Sequence, residues 1–189
     1  MNRRFSSILL LGLCALLLPA ALMAAEKGMM PANKDMMPAA KMDTMHAGGM
    51  GMMMPAAEGQ ALLDHITKTD PYAKWDLMPG TQKMRVGREP HGTLQNVYVN
   101  KAAMKAFKDK AGAMPDGAII VKESYTPDKK PGAVTVMYKK KGFNPEAGDY
   151  MWLRYGPDMK IQVQGKAAPC IQCHTQAKAN DFVILAPLK

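Results

Sequence analysis

The sequence predicts an α+β domain, a mainly antiparallel β-sheet with flanking helices expected on one side. Two observations carry that class. Four segments of the second half, GAIIVKESY, GAVTVMYKKKG, DYMWLRYGPD and KIQVQG, are rich in Ile, Val, Thr and Tyr and are bounded by turn residues. Their connections are short, which favours antiparallel neighbours over parallel crossovers. Helical spacing is confined to two stretches ahead of them.

In chain order, residues 1–25 come first. Asn2-Arg3-Arg4, the apolar run Ile8 to Leu18 and the small residues Ala20, Ala21, Ala24 and Ala25 have the layout of a secretory signal peptide. The run is short for a membrane span. Cleavage near residue 24 or 25 removes Arg3, Arg4 and no acid, lowering the formal charge from +9 to +7. It also removes Cys14 and leaves Cys170 and Cys173 as the only cysteines. The expected location is the periplasm.

Residues 26–58 form a Met/Pro/Gly-rich segment expected to be a disordered linker, in which Met-Met-Pro-Ala recurs at Met29, Met36 and Met53. Pro and Gly exclude a long helix, and no apolar periodicity is present to build a core. Thioethers suit Cu(I), and Met42, Met45 and His46 are close enough to share one copper ion. The domain proper is expected over residues 59–189.

GQALLDHITKTDPYAKW reads as a helix ending before Pro71, with Leu62, Leu63 and Ile66 on one face. His65 on that helix reads as a surface or packing residue. TLQNVYVN follows as a strand. NKAAMKAFKDKAG then reads as a short helix with Asn100 as N-cap and Gly112 as stop. The four strands complete the sheet. Basic residues are spread along the chain without interleaved stacking aromatics, which excludes a nucleic-acid-binding class and suits an acidic redox partner.

After the last strand comes CIQCH, Cys170 to His174. A structural zinc site needs four ligands, and no second cysteine pair exists. A redox dithiol is expected in a βαβ setting, which is absent. A disulfide between the two cysteines would close a very small loop and stabilise little. Covalent haem uses all three residues: two thiols for thioether links and His174 as proximal iron ligand. Only 15 residues follow His174, and none is Met, so the common arrangement with a later axial Met does not apply. The expected cofactor is a single covalent haem c near the C-terminus.

REPHGTLQNVYVNKAAMKAF, MPDGAIIVKESY, VTVMYKKKGFNPEAGDYMWLRYGPD and CIQCHTQAKANDFVILAP, in that order and spacing, resemble the cytochrome P-460 family over roughly Pro79 to Pro187. The resemblance implies a β-rich fold with one c-type haem, and homodimers are common among such proteins. It implies either oxidation of hydroxylamine or a related small nitrogen species at an open iron, or, as in the related cytochromes c-prime-beta, binding of nitric oxide. A non-enzymatic electron-transfer role is the other alternative, with a periplasmic redox partner in each case. The resemblance also implies a lysine linked to the porphyrin edge in hydroxylamine oxidisers. Lys122 is the candidate, on the same strand face as Ile120 and Ser124. Glu123 is a candidate proton acceptor, or else a sheet-surface residue paired with a lysine. His91 is a candidate distal or propionate contact. Met137 and Met151 are expected in the core, where either could approach the iron, and Trp152 and Tyr155 are expected to pack on the haem.

Overall fold

The structure, a computed structural model, describes residues 53–189. The expected signal peptide, residues 26–52 of the expected linker and the copper candidates Met42, Met45 and His46 lie outside the described residues.

Seven strands form one antiparallel sheet: β1 (Asp76–Leu77), β2 (Arg85–Val86), β3 (Leu94–Val99), β4 (Ile119–Tyr125), β5 (Pro131–Lys139), β6 (Tyr150–Tyr155) and β7 (Ile161–Gly165). From β3 to β7 each strand pairs with the next in sequence, while β1 and β2 share the outer edge of β3. The antiparallel sheet expected from the sequence is present. The two edge strands have two residues each, too few for periodicity to reveal.

Period-two alternation gives the sheet two apolar faces. Val97, Val99, Ile120, Met137 and Trp152 point to one side. Tyr98, Ile119, Val121, Val136, Tyr138 and Leu153 point to the other. Helices therefore cover both faces, not one as expected. Helix α1 (Gly59–Asp64), which widens into a π-turn over His65–Thr69, buries Leu62, Leu63 and Ile66 on the second face. Helix α2 (Lys101–Lys108) buries Ala103, Ala106 and Phe107 on the first. The physical reason is that every central strand carries apolar residues at both parities, so each side needs a cover.

Asn100 caps α2 as expected, accepting from the Ala103 N–H at 3.0 Å. The same side chain donates to the Gly117 carbonyl and accepts from the Ile119 N–H, locking the start of α2 to the start of β4. The helix ends at Lys108, short of Gly112, through a C-cap at Asp109.

The expected linker boundary at residue 58 falls too late. Pro55 is buried, and its carbonyl accepts from the Tyr138 hydroxyl at 2.8 Å. Met54 lies against Gly117, where a Cβ would come within 2.9 Å of its methyl carbon. Truncation after Met52 should leave the unfolding midpoint nearly unchanged. Truncation after Glu58 should orphan the buried Tyr138 hydroxyl, at a cost of about 1–3 kcal/mol. Urea denaturation of the two truncated proteins separates the cases.

Candidate functional site

Helix α3 (Ala168–His174) follows β7 and lies against the first face of the sheet. Pro169 in its first turn needs no N–H partner and favours the start of the helix there. Cys170 and Cys173, three apart, stand one helical turn from each other. Both thiols are free, Cys170 half-buried and Cys173 exposed. Burial raises the Cys170 thiol pKa, with the Arg154 charge opposing.

His174 ends the helix and is only 5% exposed. Its Nδ1 lies 2.9 Å from the Phe182 carbonyl oxygen. A carbonyl can only accept, so Nδ1 carries the proton and Nε2 keeps its lone pair. Burial lowers the ring's pKa; the Phe182 carbonyl opposes this and the Lys122 charge adds to it. The neutral imidazole is the form that binds a metal.

The Phe182 carbonyl is itself held. Asp181 and Phe182 both adopt the left-handed region, φ 50° and 63°. The Asp181 carboxylate accepts from Lys139 Nζ at 2.7 and 2.9 Å, the Tyr150 hydroxyl at 3.0 Å and the Met114 N–H at 2.7 Å. Asn180 donates to the Val183 and Ala186 carbonyls and accepts from the Leu188 N–H. The C-terminal tail is thereby stapled beside α3.

Sheet, α3 and tail enclose a cavity of about 210 Å³. Its walls are mainly apolar, including Val97, Ile120, Met137, Trp152, Val183 and Leu185. Lys122, Arg154, His91 and Thr135 add polar groups, and among the described residues no carboxylate lines it. Burial, with the Arg85 charge, pushes the Lys122 amine down to about 8. Burial, then the charges of Lys122, His174 and Arg154, pushes His91 down to about 4. The Trp152 ring centre lies 4.6 Å from that of His174, and its buried Nε1–H has no partner among the described residues.

These residues fit a haem. An apolar chamber suits the porphyrin, and cations without acids suit its propionates. Two free thiols lie at the wall, and among the described residues His174 Nε2 has no hydrogen-bond partner. The unpartnered Trp152 N–H is what a chamber built around a further group would leave.

Of the sequence candidates, Cys170, Cys173, His174, Lys122 and His91 come together on this cavity. Glu123 does not. Its neighbour Lys122 takes the cavity side, so alternation sends Glu123 to the opposite face. There it accepts from Tyr72 and Tyr125 hydroxyls at 3.0 and 2.8 Å and from Asn96 Nδ2 at 2.9 Å. The expected carboxylate beside the iron is thus absent from the cavity, and its partners are tyrosines and an asparagine, with no lysine among them. Met137 lines the cavity, while Met151 and Tyr155 belong to the other face. Arg154 and Thr135 escaped the sequence reading, although Arg154 shares parity with Trp152 and was recoverable from it. Asp181 left no such signal.

A family model described as Cytochrome P460 matches residues 69–185, which span every strand, the cavity wall and α3. Comparison with curated proteins gives no match.

Proposed function

The chain belongs to the cytochrome P460 family and is a haem cytochrome, and from that premise we propose that its haem is held covalently at Cys170 and Cys173, with His174 Nε2 as proximal ligand. One observation carries this reading: His174, directly after two free thiols, reaches the cavity with Nδ1 already bonded to the Phe182 carbonyl. That bond fixes the tautomer and the ring's orientation before any metal arrives.

The reaction that best suits the cavity is oxidation of hydroxylamine or a related small nitrogen species. The bound haem supplies the redox chemistry, taking electrons from the nitrogen centre and passing them to an acceptor. Among the described residues, Lys122 is the only amine lining the cavity. Burial and the Arg85 charge lower its pKa to about 8, which raises the neutral fraction of the amine that the family resemblance would link to the porphyrin edge. Arg154, which lines the cavity, would serve the haem propionates. The apolar walls exclude water from the space that a small uncharged substrate enters. We further propose export to the periplasm, electron transfer to an acidic partner there, and a homodimer.

A binding or electron-carrying cytochrome is the second reading. The observation favouring it is that, among the described residues, no carboxylate lines the cavity to accept protons from a substrate. Steady-state reduction of an artificial acceptor by hydroxylamine separates the two. Wild type should turn over. Lys122→Ala should revert the absorption spectrum to that of an ordinary c-type haem and slow turnover at least about tenfold, a barrier change of about 1.4 kcal/mol. Absence of wild-type turnover sinks the enzyme reading, and an unchanged Lys122→Ala spectrum removes the lysine from it.

A further inference from the structure

We propose that the loop between β5 and β6 is a remote positioning element for His174. Gly148 in that loop leaves a slot for the Phe182 ring, and the seated ring fixes the carbonyl to which His174 Nδ1 is bonded. This rests on the assignment of His174 as iron ligand made above.

The Phe182 ring is 4% exposed. It lies directly on Gly148: a Cβ there would stand 2.6 Å from both Cδ2 and Cε2 of the ring, and 3.3 Å from Cδ2 of Tyr150. Carbon atoms in ordinary contact are about 3.5–4.0 Å apart. The ring has little room to retreat, because the Tyr150 ring packs against it with centres 6.2 Å apart and planes at 64°. Gly148 has φ +69°, so glycine meets two demands here, a left-handed turn and an absent side chain.

The loop is itself stiff. After the 3-10 turn Pro145–Ala147, Gly148 and Asp149 both take left-handed φ. The N–H of buried Asn144 donates to Asp149 Oδ1 at 3.0 Å, and the Asn144 carbonyl accepts from the Asp149 N–H at 2.8 Å. Phe182 is held at its other groups as well. Its N–H donates to the Ala177 carbonyl at 2.9 Å, and its carbonyl meets His174 Nδ1 at 2.9 Å. Because the ring is enclosed, a push on it cannot be absorbed by rotating the side chain alone. It passes to the Phe182 backbone, where the carbonyl meets His174. A second line of contact reaches the same imidazole: Tyr150 packs on Trp152, with centres 6.0 Å apart, and Trp152 packs on His174.

The consequence is electronic. A hydrogen bond at Nδ1 raises the basicity of a ligating imidazole and fixes its orientation. Weakening that bond makes His174 a poorer donor, which disfavours ferric relative to ferrous iron and raises the midpoint potential. A residue far from the ligand in sequence thereby sets a property of the iron.

The test uses the full-length haem protein. Gly148→Ala should lower the iron–histidine stretching frequency of the reduced protein. It should also raise the midpoint potential by about 59 mV, the equivalent of a tenfold change in the ferric–ferrous balance. Gly142 supplies the control. It lies in the same loop at φ +79°, with nothing within 4 Å of where a Cβ would stand. Gly142→Ala therefore carries the backbone strain without the clash and should move neither signal. Where Gly148→Ala retains no haem, Phe182→Ala decides: it empties the slot, frees the carbonyl and should shift both signals in the same direction. Wild-type frequency and potential in either variant, or an equal shift in Gly142→Ala, overturns the proposal. Persistence of the iron–histidine band in His174→Gly overturns the ligand assignment beneath it.

Discussion

Haem should stay with the wild-type chain through acid-acetone extraction and should be released when Cys170 and Cys173 are both replaced by alanine. This is the largest change expected from any pair of side chains, because it converts covalent retention into ordinary binding. The polypeptide itself should notice little. Cys173 is exposed and Cys170 only half-buried, and substitutions outside tight packing usually change stability by about 0.5 kcal/mol or less. Mass spectrometry of the denatured proteins gives the result directly. Haem remaining on the Cys170→Ala/Cys173→Ala chain would have to be held by Lys122, and adding Lys122→Ala must then release it. Retention in that triple variant removes the thioether assignment.

Asp181→Ala should be the most destabilising single substitution near the site. Lys139 and Asp181 side chains are 15% and 11% exposed, so the lysine would be left nearly buried without its counter-ion. Breaking such a pair costs about 3–5 kcal/mol. Alanine at a left-handed φ adds about 1 kcal/mol more. Asp181→Asn keeps an acceptor oxygen and tolerates the backbone, so it should cost clearly less. Removing both charges, in Asp181→Ala/Lys139→Met, should recover part of the loss. Urea titrations of the four proteins check the order. A parallel change belongs to the iron: if Asp181 anchors the Phe182 carbonyl, Asp181→Ala should alter the iron–histidine stretching frequency in the reduced protein. Equal stability of wild type and Asp181→Ala would show that the pair holds nothing in place.

The long strands were legible because alternation over six to nine residues leaves few competing interpretations, and β4 to β7 lie where the sequence puts them. Strands β1 and β2 are fixed by pairing with the edge of β3, which no local pattern encodes. Asn100 was legible as a cap because its role is local; its bonds to Gly117 and Ile119 depend on the tertiary approach of β4. The opposite parity of Lys122 and Glu123 could be read from the strand. Which face α3 would cover could not, since both faces are apolar, and that choice put Lys122 in the site and Glu123 outside it. His91 depended on a loop whose path is set by Gly92 passing close to Ser124. Asp181 and Phe182 adopt left-handed φ without being glycine. The carboxylate's four bonds compensate that conformation, and nothing in the neighbouring sequence announces them.

The strand order has a consequence for how the chamber is assembled in time. From β3 onward each strand docks beside the one made just before it, so the sheet can grow by local additions that close short loops at modest entropic cost. Helix α3 and residues 175–189 follow the strands in the chain. A wall of Val97, Ile120, Met137 and Trp152 can therefore stand before Cys170 emerges, and the final segment works as a latch drawn across a finished wall.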